Sequence, residues 1–224
     1  MKLCKIAFAL FVLVLAGCGG SGEKKSSSSE PFCKDTTCIT EPILVSSDAP
    51  GKPFVRVSFK DCKIDSIHYE KGGMGVIKDI IFAEYMPDKE IRVSKDYFKI
   101  DIVDAKYAWV KFNDCATGRG YLLKLAFDKS GTEIKLSSAI NNTDKKFNVA
   151  DGLVAYYDNT FIYVQDMATD KVAKQLLTDT GVKEIDFNDV HSLIDSVNIT
   201  KDNIYAKLIV DGKPVEHNVP LEFN

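Results

Sequence analysis

Tyr107-Ala108-Trp109-Val110-Lys111-Phe112 and, after a turn-rich interval, Tyr121-Leu122-Leu123-Lys124-Leu125-Ala126-Phe127 set the fold class of this chain. Both runs are short, rich in aromatic and branched side chains, and bounded by residues that favour turns, which is the composition of strands. Phe54-Val55-Arg56-Val57-Ser58-Phe59, Phe161-Ile162-Tyr163-Val164 and Ile204-Tyr205-Ala206-Lys207-Leu208-Ile209-Val210 share that character. Between such runs, Lys129-Ser130-Gly131, Asp151-Gly152, Asp158-Asn159 and Asp211-Gly212 supply residues that tolerate positive φ, as tight hairpins require. Helical turns are expected only within 168–177 and 186–193. The alternation of a strand places Trp109 and at least one of Tyr156 and Tyr157 in the core. The chain is expected to be all-β.

Weak internal repetition suggests how the strands are grouped. Val57-Ser58-Phe59-Lys60-Asp61-Cys62 echoes Val110-Lys111-Phe112-Asn113-Asp114-Cys115, and Ile64-Asp65-Ser66-Ile67 echoes Ile194-Asp195-Ser196-Val197. Segments beginning near Ile64, Ile100, Val149 and Ile194 recur about every 35 to 50 residues, a spacing that overlaps the length of a four-stranded propeller blade. The body resembles β-propeller repeats over about 54–223, without a Trp-Asp or double-glycine blade signature. The expected architecture is a propeller-like array of four-stranded antiparallel units, with a β-sandwich of two sheets as the alternative.

At the N-terminus, Lys2 and Lys5 precede an apolar run from Ile6 to Leu15 that ends in Leu15-Ala16-Gly17-Cys18. The run is shorter than the roughly 20 residues of a membrane span and has the parts of a secretory signal. Leu15-Ala16-Gly17-Cys18 resembles the lipobox of bacterial lipoproteins. That resemblance implies cleavage before Cys18, a diacylglycerol on its thiol and an acyl group such as palmitate on its new amino group. More than one acyl chain gives stable anchoring. Residues 1–17 are therefore expected to be a lipoprotein signal peptide, 18–31 a lipid-anchored flexible tether containing Ser26-Ser27-Ser28-Ser29, and 32–224 a single all-β domain. The expected location is the cell envelope, on the outer membrane at its periplasmic or surface face.

The chain has 29 basic and 32 acidic residues. Removing Lys2 and Lys5 with the signal leaves a mildly acidic chain, which argues against nucleic acid and against an electrostatic membrane patch. Four cysteines remain besides Cys4 and Cys18. In an exported chain Cys33, Cys38, Cys62 and Cys115 are expected to form disulfides, and Cys33 with Cys38 and Cys62 with Cys115 are the favoured pairs. Their spacing lacks the paired short intervals of a zinc module.

No catalytic motif stands out, and no cofactor is expected. His68, His191 and His217 are separated beyond metal-ligand spacing, and no Gly-x-Ser-x-Gly nucleophile turn occurs. Gly72-Gly73-Met74-Gly75 reads as a hairpin loop, since no helix follows to complete a phosphate cradle. Arg119, within Thr117-Gly118-Arg119-Gly120, reads as a solvated turn residue, with a bidentate grip on a carboxylate or sulfate as the alternative. Asp128-Lys129-Ser130-Gly131-Thr132-Glu133 lacks the alternating acids of a calcium loop. Asp61, Asp65, Asp101, Asp104 and Asp114 recur near strand ends, and two of them in one cleft would permit glycosidase-type acid–base chemistry. The expected function is that of a lipid-anchored envelope protein with a non-catalytic binding or assembly domain, whose partner is an envelope protein or glycan. The alternative is an envelope hydrolase or glycan-active enzyme.

Overall fold

The computed structural model describes residues 31–34, 37–73, 76–87, 89–176 and 186–224. The lipobox, Cys18 and almost all of the tether lie outside them. The described strands form four sheets of four. Sheet 1 is a meander of β1 (Ile43–Ser46), β2 (Phe54–Lys60), β3 (Lys63–Glu70) and β4 (Ile77–Ile81), and sheet 2 repeats it with β5 (Phe98–Val103), β6 (Tyr107–Asn113), β7 (Gly120–Ala126) and β8 (Ile134–Leu136). Sheet 3 takes β9 (Ala139–Ile140), β11 (Leu153–Tyr157), β12 (Phe161–Asp166) and β13 (Val172–Leu176). Sheet 4 takes β10 (Phe147–Val149), β14 (Ile194–Ile199), β15 (Asn203–Val210) and β16 (Lys213–Pro220). All pairings are antiparallel except β10 with β14, which is parallel, so the fourth unit is mixed.

Three apolar layers hold the sheets in series. Val57, Ile67 and Tyr69 of sheet 1 meet Val110, Phe112 and Leu123 of sheet 2 in the first core, with Phe82 of the single-turn helix α1 (Phe82–Tyr85) edge-on to Phe112. Trp109 and Leu122, on the opposite face of sheet 2, meet Ala139 and Val154 of sheet 3. Ala155, Tyr157 and Val164 of sheet 3 then meet Ile194, Val197 and Leu208 of sheet 4. Among the described residues no core cluster joins sheet 4 to sheet 1, so the array of four-stranded units shows no ring closure. Nor is it one sandwich of two sheets.

Sheet 2 is therefore covered on both faces, and β7 is buried at every position. Lys111 and Lys124, which simple alternation would turn to solvent, are 5% exposed instead. Lys111 lies 2.5 Å from Asp101, which it meets as an ion pair without good hydrogen-bond alignment. Lys124 lies 2.6 Å from Asp170 and stacks 3.7 Å above the Tyr107 ring. Each buried ammonium keeps a carboxylate, as desolvation demands. Gly120 permits the close approach of sheets 2 and 3, because a Cβ there would stand 2.1 Å from the Ala139 carbonyl oxygen.

The repeated sequence segments have structural meaning. Val57 to Cys62 and Val110 to Cys115 belong to the second strands of consecutive units and the turns that follow them. Ile64-Asp65-Ser66-Ile67 and Ile194-Asp195-Ser196-Val197 each contain a β-bulge, with Asp65 and Asp195 as the extra residue between paired neighbours. Asp61 and Cys62 both have positive φ in the two-residue β2–β3 turn, as do Asp211 and Gly212 between β15 and β16. The expected helix within 168–177 is corrected: Val172–Leu176 pairs antiparallel with β12. Asp166 caps a turn by accepting from the backbone of Ala168 and Thr169, and the chain then has a sheet edge to join. Residues 190–192 form one 3₁₀ turn.

A polar tie crosses the first core. Tyr69 and Lys78 both donate to the Glu133 carboxylate. Burial works to raise the Glu133 carboxyl, but the hydrogen bonds from Lys78 and Tyr69 outweigh it and hold it below its usual value of 4.5. A depressed folded-state value means that stability is fully present above 4.5 and is lost as pH falls through the folded value. Glu133→Gln is expected to lower stability by about 1 kcal/mol at pH 7. Urea titrations from pH 7 to pH 3 should show its difference from wild type closing below pH 4.5.

Candidate functional site

Two disulfides fix the segment before β1 across the ends of sheets 1 and 2. They are Cys33–Cys115 and Cys38–Cys62, with Cα–Cα distances of 4.7 and 4.5 Å. The four candidate cysteines are thus all paired, but the expected partners are corrected. Cys62 and Cys115 end equivalent strands of neighbouring units, and the segment passing both brings Cys33 to one and Cys38 to the other. Cys33 N–H also donates to the Cys115 carbonyl at 3.1 Å, and Cys115 N–H donates to the Arg92 carbonyl at 2.7 Å. Cys33, Cys62 and Cys115 help to line a small cleft together with Pro31, Thr37, Arg92 and other neighbours. In it the Arg92 guanidinium stands 3.7 Å from Cys62 Sγ.

A shallower groove lies beyond Cys33, between Phe32, Tyr97, Asp144 and His191. Phe32 packs 4.8 Å from the Tyr97 ring and stacks with the His191 ring at 6.2 Å. Gly118 leaves room for it, since a Cβ there would come within 2.8 Å of the Phe32 ring. Burial, then Asp144 and Asp96, push the Tyr97 hydroxyl above its ordinary value. His191 has both ring nitrogens engaged: Nε2 lies 2.9 Å from Asp144 and Nδ1 lies 3.2 Å from the Ile194 carbonyl. Both nitrogens thus face oxygens of the protein itself.

The other residues singled out by the sequence are dispersed. Asp61 and Asp104 are left-handed turn residues, and Asp65 is an exposed bulge residue. Asp101 pairs with Lys111. Asp114 accepts from Arg92 N–H at 3.1 Å and from Thr117 N–H and Oγ1 at 3.0 and 2.7 Å. None of the five lines the cleft or the groove described above. Arg119, expected as a solvated turn residue, is instead bonded internally: it donates to the Ser137 carbonyl and hydroxyl and to Asn188, and lies over the Phe187 ring. Asp128 closes its turn by accepting from Ser130, while Glu133 turns toward Tyr69 and Lys78. Gly72 and Gly73 lie on the β3–β4 connection, with Met74 and Gly75 outside the described residues. Trp109 and Tyr157 are each 1% exposed, and Tyr156 stacks on Tyr163 at 4.9 Å. Burial pushes the Tyr157 hydroxyl up to about 12. His217 lies on β16 with its Nε2 enclosed.

The outer face of sheet 1 has a different character. Alternate residues of its strands point away from the first core, and among the described residues the exposed large apolar side chains, Leu44, Ile77 and Ile81, all stand there. Phe54 packs 5.5 Å from His68 on the same face, and His68 Nδ1 lies 2.7 Å from Asp79. Ile77, Asp79 and Ile81 share β4, whose outer edge has no strand beside it among those described. By contrast, the outer face of sheet 4 is polar and internally bonded, with Asn148 donating to Asn198 at 2.7 Å and Lys146 and Lys207 meeting Asp195. Alternation alone did not distinguish these two outer faces, because β1, β4 and β10 are too short or too mixed to read as strands. Searches of protein-family models, curated proteins and solved structures returned no match to the chain.

Proposed function

We propose that the chain is a lipid-anchored protein of a bacterial cell envelope whose β domain binds an envelope protein and performs no chemistry. The observation that carries the binding role is the placement of Leu44, Ile77 and Ile81, exposed by 62, 67 and 56%, on the outer face of one sheet. Leu44 stands on β1 and Ile77 and Ile81 on β4, with Arg56, His68 and Asp79 between them; the two isoleucines beside the β4 edge favour association, by apolar contact and by strand addition. The engaged nitrogens of His191 and the scattered aspartates support binding over hydrolysis. Two disulfides in a chain of this size suit an oxidising compartment, and the lipobox resemblance supplies the anchor at Cys18. What supports propeller-like blades is the consecutive four-stranded order of sheets 1 and 2 and the face-to-face packing of all four units, although β10 leaves sheet 3 to join sheet 4.

Crosslinking in intact cells followed by capture of the full-length protein tests this reading. One dominant envelope protein is expected with wild type, at least about tenfold less of it with Ile77→Asp/Ile81→Asp, and membrane release of the protein with Cys18→Ala. Equal capture by wild type and the Ile77→Asp/Ile81→Asp variant would place binding elsewhere, and turnover of an envelope glycan by the purified protein would overturn the non-catalytic reading.

A further inference from the structure

The two disulfides differ in their surroundings, and the difference is chemical. In each, one sulfur belongs to a buried cysteine and the other to a half-buried one: Cys62 and Cys33 are 6% and 1% exposed, while Cys38 and Cys115 are more open. A thiolate attacking from solvent therefore meets Cys38 in one bridge and Cys115 in the other, and expels the buried partner. Cys62 would leave beside the Arg92 guanidinium, 3.7 Å from its sulfur. Cys33 lines the same cleft, but among the described residues the Arg92 guanidinium bonds to the Cys62 sulfur and no cation bonds to that of Cys33. A cation beside the departing sulfur stabilises its thiolate, and a stabilised thiolate leaves faster. The backbone adds to the contrast: Cys33 and Cys115 are joined by an N–H to carbonyl bond, which keeps their sulfurs together after a transient opening.

We propose that Cys38–Cys62 is a thiol–disulfide exchange site for dithiol reductants, whereas Cys33–Cys115 is a permanent staple. In the first step a thiolate of the dithiol attacks Cys38 Sγ; the sulfur–sulfur bond breaks and its electron pair leaves with Cys62 as a thiolate beside Arg92. The second thiol of the reductant, deprotonated, then attacks the reductant sulfur of the mixed disulfide and releases Cys38 as a thiolate. The dithiol is oxidised to a disulfide, the cystine is reduced to two thiols, and two electrons are transferred. Reduction frees the chain around Cys38 from the β2–β3 turn, while Phe32 stays held through Cys33. Cys38 lies beside a surface groove formed by 37–43 with Ser94, Lys95 and Asp96, so its release alters that groove.

The test uses oxidised full-length protein, dithiothreitol as the probe, and quenching with N-ethylmaleimide at timed intervals before peptide mapping. Labelling of Cys38 and Cys62 is expected at least about tenfold faster than labelling of Cys33 and Cys115. Arg92→Gln should slow only the first pair, by about threefold, and Arg92→Lys should restore much of the rate, because Arg92 serves the fold through its backbone groups. Unchanged emission from Trp109 shows that each variant is folded before reduction begins. Equal rates for the two bridges, faster labelling of Cys33 and Cys115, or an Arg92→Gln rate equal to wild type would each overturn the assignment. These outcomes are independent of whether the domain binds an envelope protein.

Discussion

Replacing Cys33 and Cys115 together by serine is expected to lower the stability of the oxidised protein by about 4.5 kcal/mol, the value the chain-entropy relation gives for so long a loop. The bridge spans 82 residues, against 24 for Cys38–Cys62, whose removal should cost about 3.5 kcal/mol by the same relation. The longer bridge does more than restrict the unfolded chain. It seats Phe32 between Tyr97, His191 and Gly118, and so ties the segment before β1 to elements of sheets 2 and 4. Urea unfolding of Cys33→Ser/Cys115→Ser beside Cys38→Ser/Cys62→Ser measures both costs. Equal losses from the two would mean that neither loop length nor the seating of Phe32 matters.

Gly120→Ala should cost about 3 kcal/mol, the upper part of the range for overpacking, although it adds one methyl group. The new Cβ would stand 2.1 Å from the carbonyl oxygen of Ala139 and 2.9 Å from its carbonyl carbon, so a backbone and not a flexible side chain has to move. The surroundings leave little room for that shift. Every residue of β7 is buried, and Asn141, just beyond β9, donates to the carbonyls of Phe112 and Tyr121 at 3.0 and 3.1 Å. The single tryptophan reports on this junction, because Trp109 is 1% exposed within it. Its emission should shift to longer wavelength in the variant as water reaches the ring, together with a lower urea midpoint. An unshifted emission and an unchanged midpoint would contradict the close packing of sheets 2 and 3.

The strands that were legible in the sequence are the ones rich in aromatic and branched residues: β2, β6, β7, β12 and β15. Their neighbours were harder to see. β4 reads Ile-Lys-Asp-Ile-Ile and is mostly exposed, and β16 carries Pro214 and Pro220 near its ends, so neither offers the composition of a covered strand. Val172–Leu176 reads equally well as a helix and becomes a strand because β12 presents an open edge. The burial of Lys111 and Lys124 follows from sheet 2 being covered twice, a tertiary fact that local alternation does not contain. The echoed Ile-Asp-Ser segments were visible, but their meaning, a bulge with aspartate as the extra residue, needed the strand register. The cysteines showed by number that two bridges could form. Their pairing depended on where the segment before β1 crosses the sheet ends, which spacing does not encode.

The anchor is the premise on which location and partner both depend, and the mass of the N-terminal peptide from protein extracted out of its own membranes tests it most directly. The expected result is a peptide that begins at Cys18 and carries a diacylglyceryl group on sulfur, with an additional acyl chain on nitrogen. A peptide that retains residues 1–17, or one that contains Cys18 with an unmodified thiol, would contradict the lipid anchor and, with it, the envelope-bound role.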